Sequence, residues 1–150
     1  MLMAQLPNIE ETIGFALHHS SYLFKTALKA VFAANTLDIT PEEMILLFML
    51  GHEGSEQGQL VSKSLKDKTN VARLLSRMEK KALIRRESHA KSGRQQMVFA
   101  TAKGDSMRGA ALPLVQKMVA QATKGIDASA INTTQRTLIS LTQNLQKLSR

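Results

Sequence analysis

Cysteine is absent from the 150 residues, and with it go disulfide bonds, cysteine-ligated zinc, thiol catalysis and thiol-based redox sensing. Long hydrophobic runs are missing too. The longest, Met44 to Leu50, falls far short of the roughly 18 to 20 apolar residues a membrane-spanning helix needs. The opening residues MLMAQLPNIE set no basic region before an apolar stretch, as a secretory leader would, so a cytoplasmic location is expected. The chain also lacks a phosphate-cradling Gly-Lys loop, a dinucleotide fingerprint, a nucleophile elbow and a His-Glu-x-x-His pair. A non-enzyme without cofactor is the expectation, with no catalytic residues.

What the chain has in excess is positive charge. Twenty Lys and Arg face 12 Asp and Glu, for a net charge of +8, which favours polyanionic partners. The excess is concentrated: between Gln57 and Lys103 there are 12 basic and three acidic residues, +9, while the rest of the chain is close to neutral. A randomly charged solvated surface predicts no such clustering.

The flanking arms read as helices. From Ile9 to about Asn35, small or apolar residues recur at Ile9, Ile13, Ala16, Ser20, Leu23, Ala27 and Val31, steps of three and four. From about Asp127 to Leu148 the same signal runs through Ile131, Leu138, Leu141, Leu145 and Leu148. Both are amphipathic stripes. Such arms either pack on the domain's own core or pair with a second copy.

Between the arms, Thr40-Pro41-Glu42-Glu43 predicts a capped helix start. Met44 to Leu50, apolar on every side, should be the buried centre of the fold. Gly51, Gly54 and Gly58 mark a loop, and a short helix with Leu60, Val61 and Leu65 follows. Asp67 is the expected N-cap of the next helix, whose core face is Val71, Leu74, Leu75 and Met78 and whose remaining surface is polar and cationic. Two β-prone runs around Ser92-Gly93 read as a hairpin with a basic tip. Beyond Gly104 a helix is expected through Leu112 and Met118, bent at Pro113.

Helix, short helix, turn, cationic helix and basic hairpin form a helix-turn-helix followed by a wing. An α-helix fits the major groove of duplex DNA, its first residues reach base edges, and flanking Lys and Arg neutralise phosphates. A hairpin beside it can set an arginine into the narrow minor groove.

The segment from Asp67 through Asn70, Arg73 and Glu79 to Ile84 resembles the recognition helix and first wing strand of the multiple-antibiotic-resistance-repressor (MarR) family. Ser92-Gly93-Arg94 through Val98 and Thr101 to Gly104 is similar to the family's wing motif. Three positions depart from the pattern: Ser92 stands for the wing aspartate, Ala82 for the glycine after the recognition helix, and Leu65-Lys66 for Gly followed by an apolar residue in the turn.

The resemblance implies a mainly α fold with a small β-hairpin wing, one domain over residues 1–150. A winged helix-turn-helix would span about residues 40–104, and helices at about 9–35 and 105–148 would form a dimerisation bundle. It implies a homodimeric regulator of transcription, a repressor released by a small aromatic or anionic effector. Such a dimer binds a pseudopalindromic operator. Thr69, Asn70 and Arg73 are then expected at base edges or adjacent phosphates, Lys63 and Arg77 on phosphates, and Arg94 in the minor groove, with Lys68 and Lys91 also among the DNA-binding residues. Phe15, His19, Tyr22 and Phe48 are expected either to line an effector cavity or to belong to the dimer core. The four histidines read as structural or surface residues, with no metal site. The competing reading is a winged-helix module whose basic face docks another protein or RNA.

Overall fold

The computed structural model describes residues 8–64, 66–88 and 95–149. A 3-10 turn at Ile9–Glu11 precedes α1 (Ile13–Ala34), α2 (Pro41–Met49), β1 (Ser55–Glu56), α3 (Gln57–Ser64) and α4 (Lys68–Lys80). Then come β2 (Ile84–Ser88), β3 (Gln96–Ala100), α5 (Ala102–Ala122) and α6 (Ala128–Leu148). Contacts divide the chain into residues 1–115 and residues 116–150, each taken by itself below.

In the larger unit, two capped helix starts follow the sequence. Thr40 Oγ1 accepts from Glu43 N at 3.2 Å and the Glu43 carboxylate accepts from Thr40 N at 3.0 Å, a complete capping box with Pro41 in the first turn. Asp67 caps α4 by accepting from Asn70 N at 2.9 Å. The core gathers Leu28 and Phe32 from α1, Leu46 and Leu47 from α2, Leu60 from α3, Val71, Leu75 and Met78 from α4, and Leu83, Ile84 and Val98 around the sheet, each at most 2% exposed.

The wing is the expected antiparallel hairpin, paired from Ile84 with Ala100 to Ser88 with Gln96. It is not alone. Ser55 and Glu56 add a third strand on the other side of β3, opposite Val98 and Met97, so the strand order is β1-β3-β2. Gly54 makes this pairing possible: its φ is +79°, and a Cβ there would lie 2.6 Å from the Phe99 ring and 2.9 Å from the Val98 carbonyl oxygen. A two-residue strand carries no periodic signal, and the sequence read it as loop.

Two further expectations are corrected. Thr12 interrupts the first arm: its Oγ1 accepts from Phe15 N at 3.2 Å, so α1 begins at Ile13 and Ile9–Glu11 is a separate turn. The run Met44 to Leu50 is not buried all round, because Ile45 and Phe48 remain 43% and 37% exposed. A helix packed from one side buries one stripe, whatever the composition of the other.

α5 continues through Pro113. In the smaller unit, Gly125 turns the chain at φ +81° and Ile126 N donates to Thr123 O at 3.0 Å. α6 then leaves Leu138, Ile139, Leu145 and Leu148 between 37% and 83% exposed. Ile126, Ile131, Leu138 and Ile139, among threonines and glutamines, line an open apolar groove of about 560 Å³. No helix among the described residues is long and apolar enough to cross a membrane.

Candidate nucleic-acid interface

The site is built on α4. Val71, Leu74, Leu75 and Met78 face the core, which turns Lys68, Thr69, Asn70, Arg73, Arg77 and Lys80 outward, all exposed. Lys63 is exposed in the last turn of α3. At the helix start, Asp67 binds Asn70 twice: one carboxylate oxygen accepts from the Asn70 backbone N–H and the other from its side-chain amide. The backbone N–H of Asn70 is the main reason the Asp67 carboxyl is held below its ordinary pKa.

The far end of α4 closes in a left-handed turn. Ala82 has φ +57°, Ala82 N donates to Glu79 O and Leu83 N to Met78 O, both at 2.9 Å, the two bonds of a Schellman cap. This is the place where the resembled family carries glycine. Thr101 secures the turn to the start of α5: its Oγ1 donates to Ala82 O at 2.6 Å and accepts from Gly104 N at 3.0 Å. Gly104 is there because α5 starts against the turn; a Cβ would stand 2.1 Å from Leu83 O. The spacing of Thr101 and Gly104 thus fixes α4 to the next element.

Several basic residues of the central third are committed inside the fold. Glu43, 0% exposed, receives Lys81 Nζ at 2.9 Å on Oε2, and Arg77 Nε lies 3.4 Å from Oε1. The second contact is an ion pair without hydrogen-bond alignment, so Oε1 accepts no hydrogen bond among the described residues. Lys81 also reaches Asp38 Oδ1 at 2.9 Å and Asp38 O at 3.2 Å, while Lys103 Nζ donates to Lys81 O at 2.7 Å. Burial alone lowers an ammonium pKa; here the hydrogen bonds to Glu43 and Asp38 outweigh it and hold Lys81 above its ordinary value. One buried carboxylate on α2 therefore anchors the C-terminal turn of α4.

The wing is anchored similarly. Arg86 donates to Glu79 Oε2 at 2.7 Å from Nη2 and 3.2 Å from Nε, and to Ser76 Oγ at 3.3 Å. The Arg86 hydrogen bond is the first cause of a Glu79 pKa below the usual range. Arg85 lies 4.3 Å from the centre of the Phe99 ring and pairs with Glu87. Neither Glu43, Lys81 nor Arg86 was singled out by the sequence as more than a cap or a charge. Their roles depend on which residues lie across from them, and the one available signal was the capping box that places Glu43 at a helix start.

Removing these pairs leaves a clear residue set. Lys63, Lys68, Arg73 and Lys80 make no ion pair or side-chain hydrogen bond among the described residues, and Arg77 keeps 57% of its side chain exposed beside Glu43. Lys91 and Arg94 lie outside the described residues, as do Leu65, His89 and Ser92.

The four residues expected at an effector cavity lie on α1 and α2. The Phe15 and His19 rings meet at a tilt of 57° with centres 4.1 Å apart, and Tyr22 belongs to a shallow groove along α1 with Leu17, His18 and Lys25. Phe48 sits on α2, 37% exposed. Three or more metal-binding side chains do not gather anywhere among the described residues.

Comparison with known proteins agrees with this geometry. Residues 37–95 match the model of the MarR family. The transcriptional regulator HosA of Escherichia coli is 33% identical over 78 residues, which are 51% of this chain and 58% of that protein. The match thus spans little more than half of this relative's length. Among solved structures, CouR from Rhodococcus jostii bound to p-coumaroyl-CoA superposes with a TM-score of 0.80 at 20% identity, covering 91% of this chain and 95% of that one. The MepR–DNA complex of S. aureus gives 0.79 at 18% identity, covering 89% and 98%. At these identities the structural likeness establishes the winged-helix fold.

Proposed function

We propose that this chain, whose residues 37–95 match the MarR family model, is a MarR-family, sequence-specific regulator of transcription that binds duplex DNA as a homodimer. The observation that carries this reading is the cationic face of α4, unpaired among the described residues, where Lys68, Arg73 and Lys80 project from a helix whose other side is core, with Lys63 also exposed in the last turn of α3. Thr69, Asn70 and Arg73 meet base edges or adjacent phosphates; Lys63, Lys68, Arg77 and Lys91 meet the backbone; Arg94 enters the minor groove. That MepR, which shares the fold, is solved in complex with DNA supports DNA as the partner. The exposed apolar residues of α1 and α6 are the surfaces a second copy covers, and two recognition helices about 34 to 36 Å apart enter successive major grooves of a pseudopalindrome.

As a repressor, the dimer is released by a small aromatic or anionic ligand held near Phe15, His19, Tyr22 and Phe48, a reading supported by the ligand-bound CouR. Such a ligand acts only by its differential affinity for the DNA-competent and incompetent spacings of the helices.

The test is titration of the purified chain against a selected pseudopalindromic duplex and a scrambled one of equal length. Binding in about the 10⁻⁸ to 10⁻¹¹ M range with a steep salt slope is expected for the first. Equal affinity for both duplexes would reject sequence-specific regulation and favour a module that docks protein or RNA.

A further inference from the structure

We infer that Asp67 is a positioning residue for base recognition: by holding the side-chain amide nitrogen of Asn70, it turns the Asn70 oxygen outward and makes Asn70 the reader of an adenine in each half-site. The inference rests on the DNA-binding reading above and names what one part of that face selects.

The argument begins with the two bonds between these residues. Asp67 Oδ1 accepts from Asn70 N at 2.9 Å, which is ordinary N-capping. The other oxygen, Oδ2, is not needed for the cap and accepts from Asn70 Nδ2. Only one orientation of the amide permits this. Rotating the amide by half a turn would set its oxygen against the carboxylate, two acceptors with no proton between them. A charged acceptor makes the bond stronger than a neutral pair would, and the helix N-terminus favours the carboxylate in its ionised form. The low Asp67 pKa agrees with this.

The consequence concerns what Asn70 can offer to DNA. An asparagine free to flip presents either an acceptor or a pair of donors, and so tolerates several bases. Held by Asp67, Asn70 presents its oxygen and the one remaining amide proton. In the major groove only adenine and cytosine carry an exocyclic amine to donate to that oxygen, and adenine alone sets an acceptor, N7, beside the donor. Guanine and thymine place an acceptor oxygen where Asn70 also accepts. The order of preference is therefore adenine, then cytosine, with guanine and thymine disfavoured.

Asn70 is well placed for this. It lies in the first turn of α4, exposed, between Thr69 and the unpaired Arg73. Asp67 is an exposed acidic group at the start of that surface, and its negative charge opposes DNA phosphates. Losing it should raise nonspecific affinity while lowering discrimination, a combination that a purely structural cap does not produce.

The experiment selects bound sequences from a random duplex pool with the wild-type protein, Asn70→Ala and Asp67→Ser. Serine keeps an N-cap oxygen, so the helix start survives, and thermal unfolding of each variant checks that it does. Wild type should enrich one adenine per half-site by about tenfold over guanine, the scale of a bidentate base contact. Asn70→Ala should lose the preference at that position alone. Asp67→Ser should reduce it to about twofold while affinity for scrambled duplex rises. A wild-type motif that survives Asn70→Ala overturns the assignment of Asn70, and one that survives Asp67→Ser overturns the positioning role, both with DNA binding intact. A wild-type pool with no enriched motif overturns the regulator reading and this inference with it.

Discussion

At the scale of single residues, α4 is held by side chains whose value lies in what they face. Ala82 occupies a left-handed conformation at φ +57° that an alanine adopts at a cost. Ala82→Gly should therefore raise stability by about 0.5 to 1 kcal/mol, after allowing for the greater unfolded-state freedom of glycine, read from chemical denaturation. The buried Glu43 behaves in the opposite sense: its loss of a partner is the danger. Lys81→Met should destabilise by about 2 to 3 kcal/mol, less than a fully buried pair because Lys81 is partly exposed and Arg77 remains nearby. Adding Glu43→Gln should return much of that loss, and a double-mutant cycle that showed simple additivity would deny the coupling. For Glu79, whose folded pKa lies below its ordinary 4.5, the contribution is present above the unfolded value and disappears as pH falls through the folded one. The Glu79→Gln variant should show a shallower stability loss than wild type on acidification below about pH 5.

At the scale of elements, the junction of α4, the turn at Ala82 and the start of α5 is a close-packed joint. Gly104 meets Leu83 O at a distance no Cβ tolerates, so Gly104→Ala should cost about 2 to 3 kcal/mol and displace the start of α5. The face of α4 is more forgiving, since its residues answer to solvent and ligand rather than to packing. Arg73→Ala and Lys80→Ala should each leave thermal stability nearly unchanged while flattening the salt slope of DNA binding by about one unit. The wing shows why its strands were partly legible: β2 and β3 have β-prone composition around a turn, whereas β1 exists only because Ser55 and Glu56 find the free edge of β3.

At the scale of the whole molecule, the exposed apolar residues of α1 and α6 are the faces on which the proposed dimer rests. Ile13, Tyr22 and Leu23 are 61 to 63% exposed, and Leu145 and Leu148 are 51% and 83% exposed, far from what a helix core face settles for in water. Leu138→Glu together with Leu145→Glu should shift the chain to monomer by sedimentation and, by removing the second recognition helix, weaken operator binding by at least about a hundredfold.

The sequence by itself determined the elements that have a period, a cap or a charge cluster: α4 from the spacing of Val71, Leu74, Leu75 and Met78, its start from Asp67, α2 from the Thr40 to Glu43 box, and the basic centre from simple counting. These signals are local, carried by residues a few positions apart. Only the tertiary structure decided which charges are free. Lys81, Arg86 and Arg73 are alike in sequence, yet two are locked to carboxylates on α2 and α4 and one is left to solvent, because ion pairing depends on partners 38 and seven residues away in the chain. The same reason separates Phe48, half out of the core, from Leu47 beside it: a helix buries the stripe its neighbours cover, and the neighbours are chosen by the fold.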